Sequence, residues 1–553
     1  MPSKSKDIIK EVLGQIPFSA ELYWLIRQRK KPFNSHFSLK SLETKIPGLL
    51  QETQKYQVKA PEGKRIFIFT SLHYWIEHAV LMGLSLAAQG HKVTFAYLPY
   101  AEWQTPINKF DLRRQDIYAA RILKQLEPTL RVVSLMKVNG IEISLPQAVQ
   151  NEIVKVTEYD TQYTLQVEEI DTNNETYQLR FRRNQAAAKA VYRYLNENKF
   201  DAMIVPNGTI QEMGVVYRVA RYLKIPVTTY EFGDQRQTIW LAQNNEIMRQ
   251  DTDAMWNACK HIPLQEKEQS EIRNLFKARQ KADLYGNFAR RWQKTPAVGS
   301  QKIRKSLGLD ERPVVLLPTN VLGDSLTLGR NIFSKSMTEW ISRTVQYFAG
   351  REDAQLIIRV HPGEVLTHGL AMADVVRDVL PVLPEHIRLI EPQDPTNTYD
   401  LIEIADLGLV YTTTVGMEMA MTGVPVIVSG YTHYRNRGFT QDPESWVDYY
   451  KTLGRMLENP DSFKLTPEIV DTAWQYAYRF FFDFARPYPW HLVRVWEDFE
   501  QRPFSQVFNQ RGKMQYQDTF DFLTGKPINW ENIFTPEVPI KSVQTTGEAL
   551  AEG

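Results

Sequence analysis

One cysteine, Cys259, stands among 553 residues. That excludes an intrachain disulfide framework and a cysteine-based zinc cluster, and it suits a reducing compartment. No apolar run approaches the roughly 20 residues of a membrane-spanning helix. The opening MPSKSKDIIKEVLG lacks the continuous apolar core of a signal peptide, so a cytoplasmic protein is expected. Charge of one sign is not in excess. The formal net charge is +2, and no global field draws the chain to nucleic acid or to an anionic membrane. Histidine, aspartate and glutamate form no cluster with clear metal-ligand spacing, so neither a metal nor a resident cofactor is expected.

What is present is the composition of a soluble globular protein, 43% apolar and 24% charged, long enough for about two large domains with appendages. Residues 1–60 read as a helical arm, in which FSAELYWLIRQRKKPF (18–33) mixes aromatics with Arg27, Arg29, Lys30 and Lys31. Such a segment can lie on a membrane surface or a partner. The favoured alternative is an arm packed on the body with its basic residues solvated. From Lys64 short apolar strands alternate with helices: RIFIFT (65–70), HKVTFAY (91–97), RVVSLMKV (131–138), DAMIVP (201–206) and IPVTTY (225–230), with a polar excursion at 140–180. After a helical connector, 251–300, the alternation restarts with PVVLLP (313–318), AQLIIRV (354–360), IRLIE (387–391), LGLVY (407–411) and VPVIVS (424–429). Apolar strands spaced by helices of this length indicate a parallel sheet covered on both faces. The expected fold class is α/β, with two doubly wound Rossmann-like domains, 61–250 and 301–470, facing a cleft in the GT-B manner. The aromatic TAWQYAYRFFFDFARPYPWHLVRVW (472–496) is expected as a helix crossing back onto the first domain, within a crossover and return segment 471–535. The tail 536–553 is expected to be disordered.

Open α/β sheets bind ligands outside the carboxyl ends of their strands, and there the second domain is rich in hydroxyls. The stretch LGLVYTTTVGMEMAMTGVPVIVSG (407–430) reads as strand, hydroxyl-rich turn, helix start and second strand. Thr412, Thr413 and Thr414 can donate to phosphate oxygens at a helix N-terminus. One threonine suffices for a cap, so three leave hydroxyls to spare. Gly416 is expected to let a ligand approach the backbone, and Glu418 to accept from a ribose diol. LIIRVHPGE (356–364) ends a second strand with His361, held by Pro362. Arg359 joins His361, Arg435 and Arg437 as candidates to stabilise a departing nucleotide. VVLLPTNVLGDS (314–325) contributes Asp324, whose alternative role is a helix cap. These features together predict a sugar-nucleotide site. In the first domain His73 follows the first strand, while Asn207, Glu212, Glu231 and Arg236 follow later ones. Inverting transfer at an anomeric carbon needs a base. His73, Glu212, Glu231 and Asp160 are all eligible, and spacing does not choose among them.

RVHPGE (359–364), YTTTVGMEMAMTGVPVIVSG (411–430) and YRNRGFT (434–440) resemble the capsule polysaccharide biosynthesis family, which contains capsular Kdo transferases and related GT-B enzymes. NGTIQEMGVVYRVARYLKIPVTTYEFG (207–233) is a weaker match, and the similarity spans residues 200–460. The resemblance implies that His361, Pro362, Thr412, Thr413 and Thr414 grip the nucleotide phosphate, with Glu418 at the ribose or base. Threonines stand where the family has paired serines. The implied activity is metal-independent glycosyl transfer from a CMP-, UDP- or GDP-linked sugar to a glycan or lipid-linked acceptor in surface or capsular polysaccharide synthesis. Such an enzyme would work in the cytoplasm, with the arm as its candidate contact to the inner face of the membrane, and without nucleic acid. The rival readings are a UDP-sugar 2-epimerase on the same scaffold and a catalytically idle GT-B module.

Overall fold

The computed structural model describes residues 4–28, 31–32, 34, 36–138, 143–233, 235–281 and 296–534. Arg29 and Lys30 of the arm, 282–295 of the connector and the tail 536–553 lie outside the described residues. The first sheet takes β1 (Arg65–Ser71), β2 (Lys92–Leu98), β3 (Arg131–Ser134), β4 (Ala202–Pro206), β5 (Val227–Phe232) and β6 (Thr238–Gln243). The second takes β7 (Val314–Pro318), β8 (Gln355–Arg359), β9 (Ile387–Ile390), β10 (Leu407–Val410) and β11 (Val426–Val428), after which β12 (Arg486–Pro487) returns to the first. The strand orders are β12-β6-β5-β4-β1-β2-β3 and β11-β10-β7-β8-β9. Each sheet starts in its middle, winds to one edge and then resumes on the other side. The order therefore reverses between β1 and β4 and between β7 and β10. The chain is thus two doubly wound lobes of the GT-B kind.

Burial explains why these segments are strands. β1 buries every residue but Arg65, and β7, β8 and β10 bury all of theirs. A parallel sheet covered on both faces demands continuous apolar runs rather than alternation. The helix His73–Ala88 is buried on nearly every side, between the first sheet and the helix Lys40–Gln57.

Three features differ from the sequence reading. The polar excursion is largely helical: Gln147–Leu165 lies within it, and Glu175–Glu197 begins inside it. The buried stripe of Gln147–Leu165 mixes Val149, Ile153 and Val156 with Thr157, Asp160 and Thr161, so the helical period is only partly apolar. The hairpin strand β6 pairs antiparallel with β5. The aromatic segment 472–496 is not one helix. Pro467–Tyr478 and a π turn, Arg479–Phe484, pack on the second sheet. The extended β12 then pairs with β6, and Tyr488 and Trp490 enter the first core. Pro487 and Pro489 cannot continue a helix.

The lobes meet where the helix Gln147–Leu165 ends. The Glu168 carboxylate accepts from the backbone N–H groups of Met337 (2.7 Å) and Thr338 (2.8 Å) and from the Thr338 hydroxyl (2.6 Å). It thereby caps the helix Met337–Ala349 of the other lobe with charge-assisted bonds. Gln166 Oε1 accepts from the His368 N–H at 2.8 Å. Gly323, at φ +68°, runs so close that a Cβ there would strike the Gln162 carbonyl. A cavity of about 410 Å³ opens beside this contact, with Gly323, Thr327 and Asn331 in its lining.

Candidate active site

In the second lobe the candidate residues gather around the end of β7. Thr319 and Asn320, the two residues after that strand, reach to opposite neighbours. The Thr319 hydroxyl accepts from the His361 N–H at 3.0 Å, at the end of β8. Asn320 Oδ1 accepts from the Thr412 N–H at 3.2 Å, at the end of β10. The parallel register Leu316–Ile357 and Gly408–Leu316 puts these three strand ends at one level. His361 Nδ1 accepts from the Gly363 N–H at 3.0 Å, with Pro362 opening the short helix that follows. An Nδ1 that accepts leaves the proton of the neutral ring on Nε2. Among the described residues the buried Thr412 Oγ1 has no hydrogen-bond partner.

The neighbouring candidates are placed differently. Thr413 is buried, and its carbonyl accepts from the Tyr434 hydroxyl at 2.5 Å. Thr414 precedes the helix Val415–Ala420 without a side-chain cap bond. That helix has only 6 residues, too few for a strong macrodipole. Gly416 serves packing, since a Cβ would lie 2.5 Å from Tyr434 Oη. Glu418 is buried and paired with Arg279 at 2.9 Å. Arg359 donates to the carbonyls of Glu391, Asp394 and Thr396, so its charge holds a loop. Arg435 likewise donates to the carbonyls of Val428 and Pro443, and Arg437 pairs with Asp253. Asp324 closes its own turn, accepting from the Leu326 N–H at 2.8 Å. In this fold interior partners engage Gly416, Glu418 and Arg359.

The first lobe presents its own polar edge where its strand order reverses. Leu72 (φ +65°), Asn207 (φ +57°) and Gln211 (φ +61°) leave β1 and β4 in the left-handed region, a strain that structures retain mainly at functional sites. Among the described residues, Ser71 Oγ, His73 Nδ1, Thr209 Oγ1 and Gln211 Oε1 are buried without a hydrogen-bond partner. Burial, with His36 nearby, holds the His73 imidazole below its ordinary range.

The eligible bases separate sharply. Glu212 and Asp160 flank Arg180 at 2.9 and 3.1 Å, all three fully buried. Asp160 also accepts from Asn184 at 2.7 Å and from the Gln211 N–H. Both carboxylates are thus committed to an interior network. Glu231, near the end of β5, accepts from the Asn207 amide at 3.2 Å. Burial pushes its carboxyl up to about 7, against the hydrogen bonds of Asn207 and the Phe232 N–H, which lower it. The charges of Glu231 and of Asp324, from the other lobe, both act on the Tyr163 hydroxyl, which burial raises to about 12.

No family model and no curated protein matches the chain. Solved structures with partial likeness include KpsC of Thermosulfurimonas dismutans, a beta Kdo 2,4 transferase, at 18% identity and a TM-score of 0.33, covering 50% of this chain and 79% of that one. The UDP-GlcNAc 2-epimerase of Neisseria meningitidis bound to UDP-GlcNAc gives 12% and 0.27, covering 76% and 99%. The wall teichoic acid polymerase TagF gives 10% and 0.20, covering 94% and 97%. Likeness at these scores carries no functional argument. Side-chain geometry has to supply it.

One feature escaped the sequence reading. Arg249 and Arg330 lie against the Tyr431 ring, at 5.3 and 5.2 Å from its centre. Neither has a carboxylate within ion-pair distance among the described residues, and Arg330 is pushed down to about 10 by burial and by Arg249. Gly430 packs against the Thr412 methyl and the Arg330 backbone carbonyl, while the Arg330 guanidinium donates to the carbonyls of Met248 and Arg249. Residues 80 and more apart in sequence gave no local signal of it.

Proposed function

We propose that this chain is a glycosyltransferase that moves a sugar from a nucleotide-activated donor to a hydroxyl of a glycan or lipid-linked acceptor in surface polysaccharide synthesis. The observation that carries the reading is Glu231, a buried carboxylate near the end of β5 whose side-chain partner is the uncharged Asn207 amide and not a cation. Burial pushes its carboxyl up to about 7, where a general base works best. The nucleotide phosphates lie at the ends of β7, β8 and β10, taking hydrogen bonds from Thr412 Oγ1 and His361 Nε2–H. Arg249 and Arg330 supply positive potential as negative charge grows on the leaving phosphate. The acceptor hydroxyl meets the polar edge formed by Ser71, Thr209 and Gln211. As its oxygen attacks the anomeric carbon, Glu231 takes its proton. The bond from that carbon to the phosphate oxygen breaks, and the electron pair leaves with the nucleotide.

A calorimetric panel of CMP, UDP and GDP, followed by product analysis with the matching sugar nucleotides, tests this reading. One nucleotide should bind, and His361→Ala should weaken it by about 10- to 100-fold, the worth of a hydrogen bond to a charged group. Absence of binding to every nucleotide would count against any sugar-nucleotide enzyme. An epimerised donor formed without acceptor would replace the transferase with an epimerase.

A further inference from the structure

The N-terminal arm is built inside out. An amphipathic helix on a soluble body turns its apolar stripe inward. Here Ile8, Ile9 and Val12 of the helix Lys4–Gln15, and Ile16 just after it, are 48–65% exposed. Phe18, Leu22, Leu25 and Ile26 of the next two turns are 58–76% exposed. Both sets keep the spacing of one helical face. The inward side is held by polar and close backbone contacts instead. Arg113 donates to the carbonyls of Gly14 and Ile16 at 3.0 and 2.8 Å. Glu21 pairs with Arg113, and Glu11 accepts from the Lys109 N–H at 3.1 Å. Gly14 packs so tightly on the helix Lys109–Leu123 that a Cβ would lie 2.5 Å from the Phe110 nitrogen. The arm is anchored firmly while presenting hydrocarbon outward.

Charge decides what meets that surface. Residues 1–31 hold seven lysines and arginines against three acids, although the whole chain carries only +2. Two of those acids, Glu11 and Glu21, are engaged by the body, as is Lys10, which pairs with Asp111 at 2.8 Å, while Arg27 and Lys31 are exposed. An exposed apolar face in a segment whose sequence is rich in cations is the pattern of a helix lying in the headgroup layer of a bilayer. Protein interfaces are instead depleted of lysine at their cores. We infer that residues 8–26 dock the protein on an anionic lipid surface, with the exposed apolar side chains in the acyl boundary and the basic residues on lipid phosphates.

The test is flotation of the full chain with vesicles of phosphatidylethanolamine and one-quarter phosphatidylglycerol, beside vesicles of phosphatidylcholine alone. The protein should float with the anionic vesicles and bind the zwitterionic ones at least about tenfold less well. The double variant Ile9→Ser/Leu25→Ser should lower the partition constant by about tenfold or more. Its circular dichroism and melting temperature should stay unchanged, because both side chains face solvent. Wild-type protein left in the lipid-free fraction, or a variant that floats equally well, would overturn the inference. So would light scattering that reveals a wild-type dimer which the variant dissolves, since a second copy would then be the occupant. None of these readouts depends on catalysis, so the inference and the proposed activity fail separately.

Discussion

Glu231 offers the sharpest prediction because its environment fixes a number. An ordinary glutamate near 4.5 is about three-quarters ionised at pH 5, whereas one at about 7 is about 1% ionised there. A base that must be ionised to act therefore loses about 100-fold between its plateau and pH 5, tenfold per pH unit, while an unshifted one loses less than about twofold. The measurement is kcat/KM from pH 5 to 9 with the sugar nucleotide that binds. Glu231→Gln should lower the plateau by about 10²- to 10⁴-fold. Asn207→Ala should move the acid limb to higher pH, since the Asn207 amide favours the charged form. Stability gives an independent reading. The folded chain keeps this proton between pH 4.5 and 7 while the unfolded chain releases it, so the group's contribution is complete below 4.5 and is lost as pH rises through 7. The difference is about 3 kcal/mol. Gln stays neutral, so the melting temperature of Glu231→Gln should match wild type at pH 5 and exceed it at pH 8. A limb centred near 4.5, or an undiminished Glu231→Gln enzyme, would refute the assignment.

Three further outcomes follow from the contacts. Arg180→Met leaves Asp160 and Glu212 buried without their cation, and a fall in melting temperature equivalent to about 3–5 kcal/mol is expected. Thr412→Val removes a hydroxyl that has no partner in the fold, so melting should hold while nucleotide affinity drops about tenfold by calorimetry. Glu168→Ala removes the acceptor of the Met337 and Thr338 N–H groups, leaving the Ser336 cap of the helix Met337–Ala349 in place, at a cost of about 1–2 kcal/mol. Solution scattering should then report a larger radius of gyration as the lobes part.

The sheets were legible because parallel strands buried on both faces announce themselves as short apolar runs. The placement of His361 and Thr412 at strand ends follows from that same reading. The helix Gln147–Leu165 was not legible, since the stripe that faces inward mixes Thr157, Asp160 and Thr161 with Val149, Ile153 and Val156. Nor does spacing reveal that Glu418 meets Arg279, or that Glu212 meets Arg180, across 139 and 32 residues. A carboxylate waiting for a substrate and one neutralised in the interior look alike in one dimension. What separates Glu231 from Glu212 is its partner, an uncharged amide in one case and a guanidinium in the other.

The strand β12 has a bearing on how the molecule is made. The first lobe precedes the second in the chain, yet its sheet edge at β6 and the core around Trp490 and Phe520 are supplied by residues translated after the strands of the second lobe. Domains otherwise tend to mature in the order of synthesis. Here the early half stays open at one side until the later half, whose own core runs on through Phe484 and Ala485, has been made. Dividing the gene between the lobes would therefore orphan the upstream product, and only a piece that carries its own distant closing strand would stand alone.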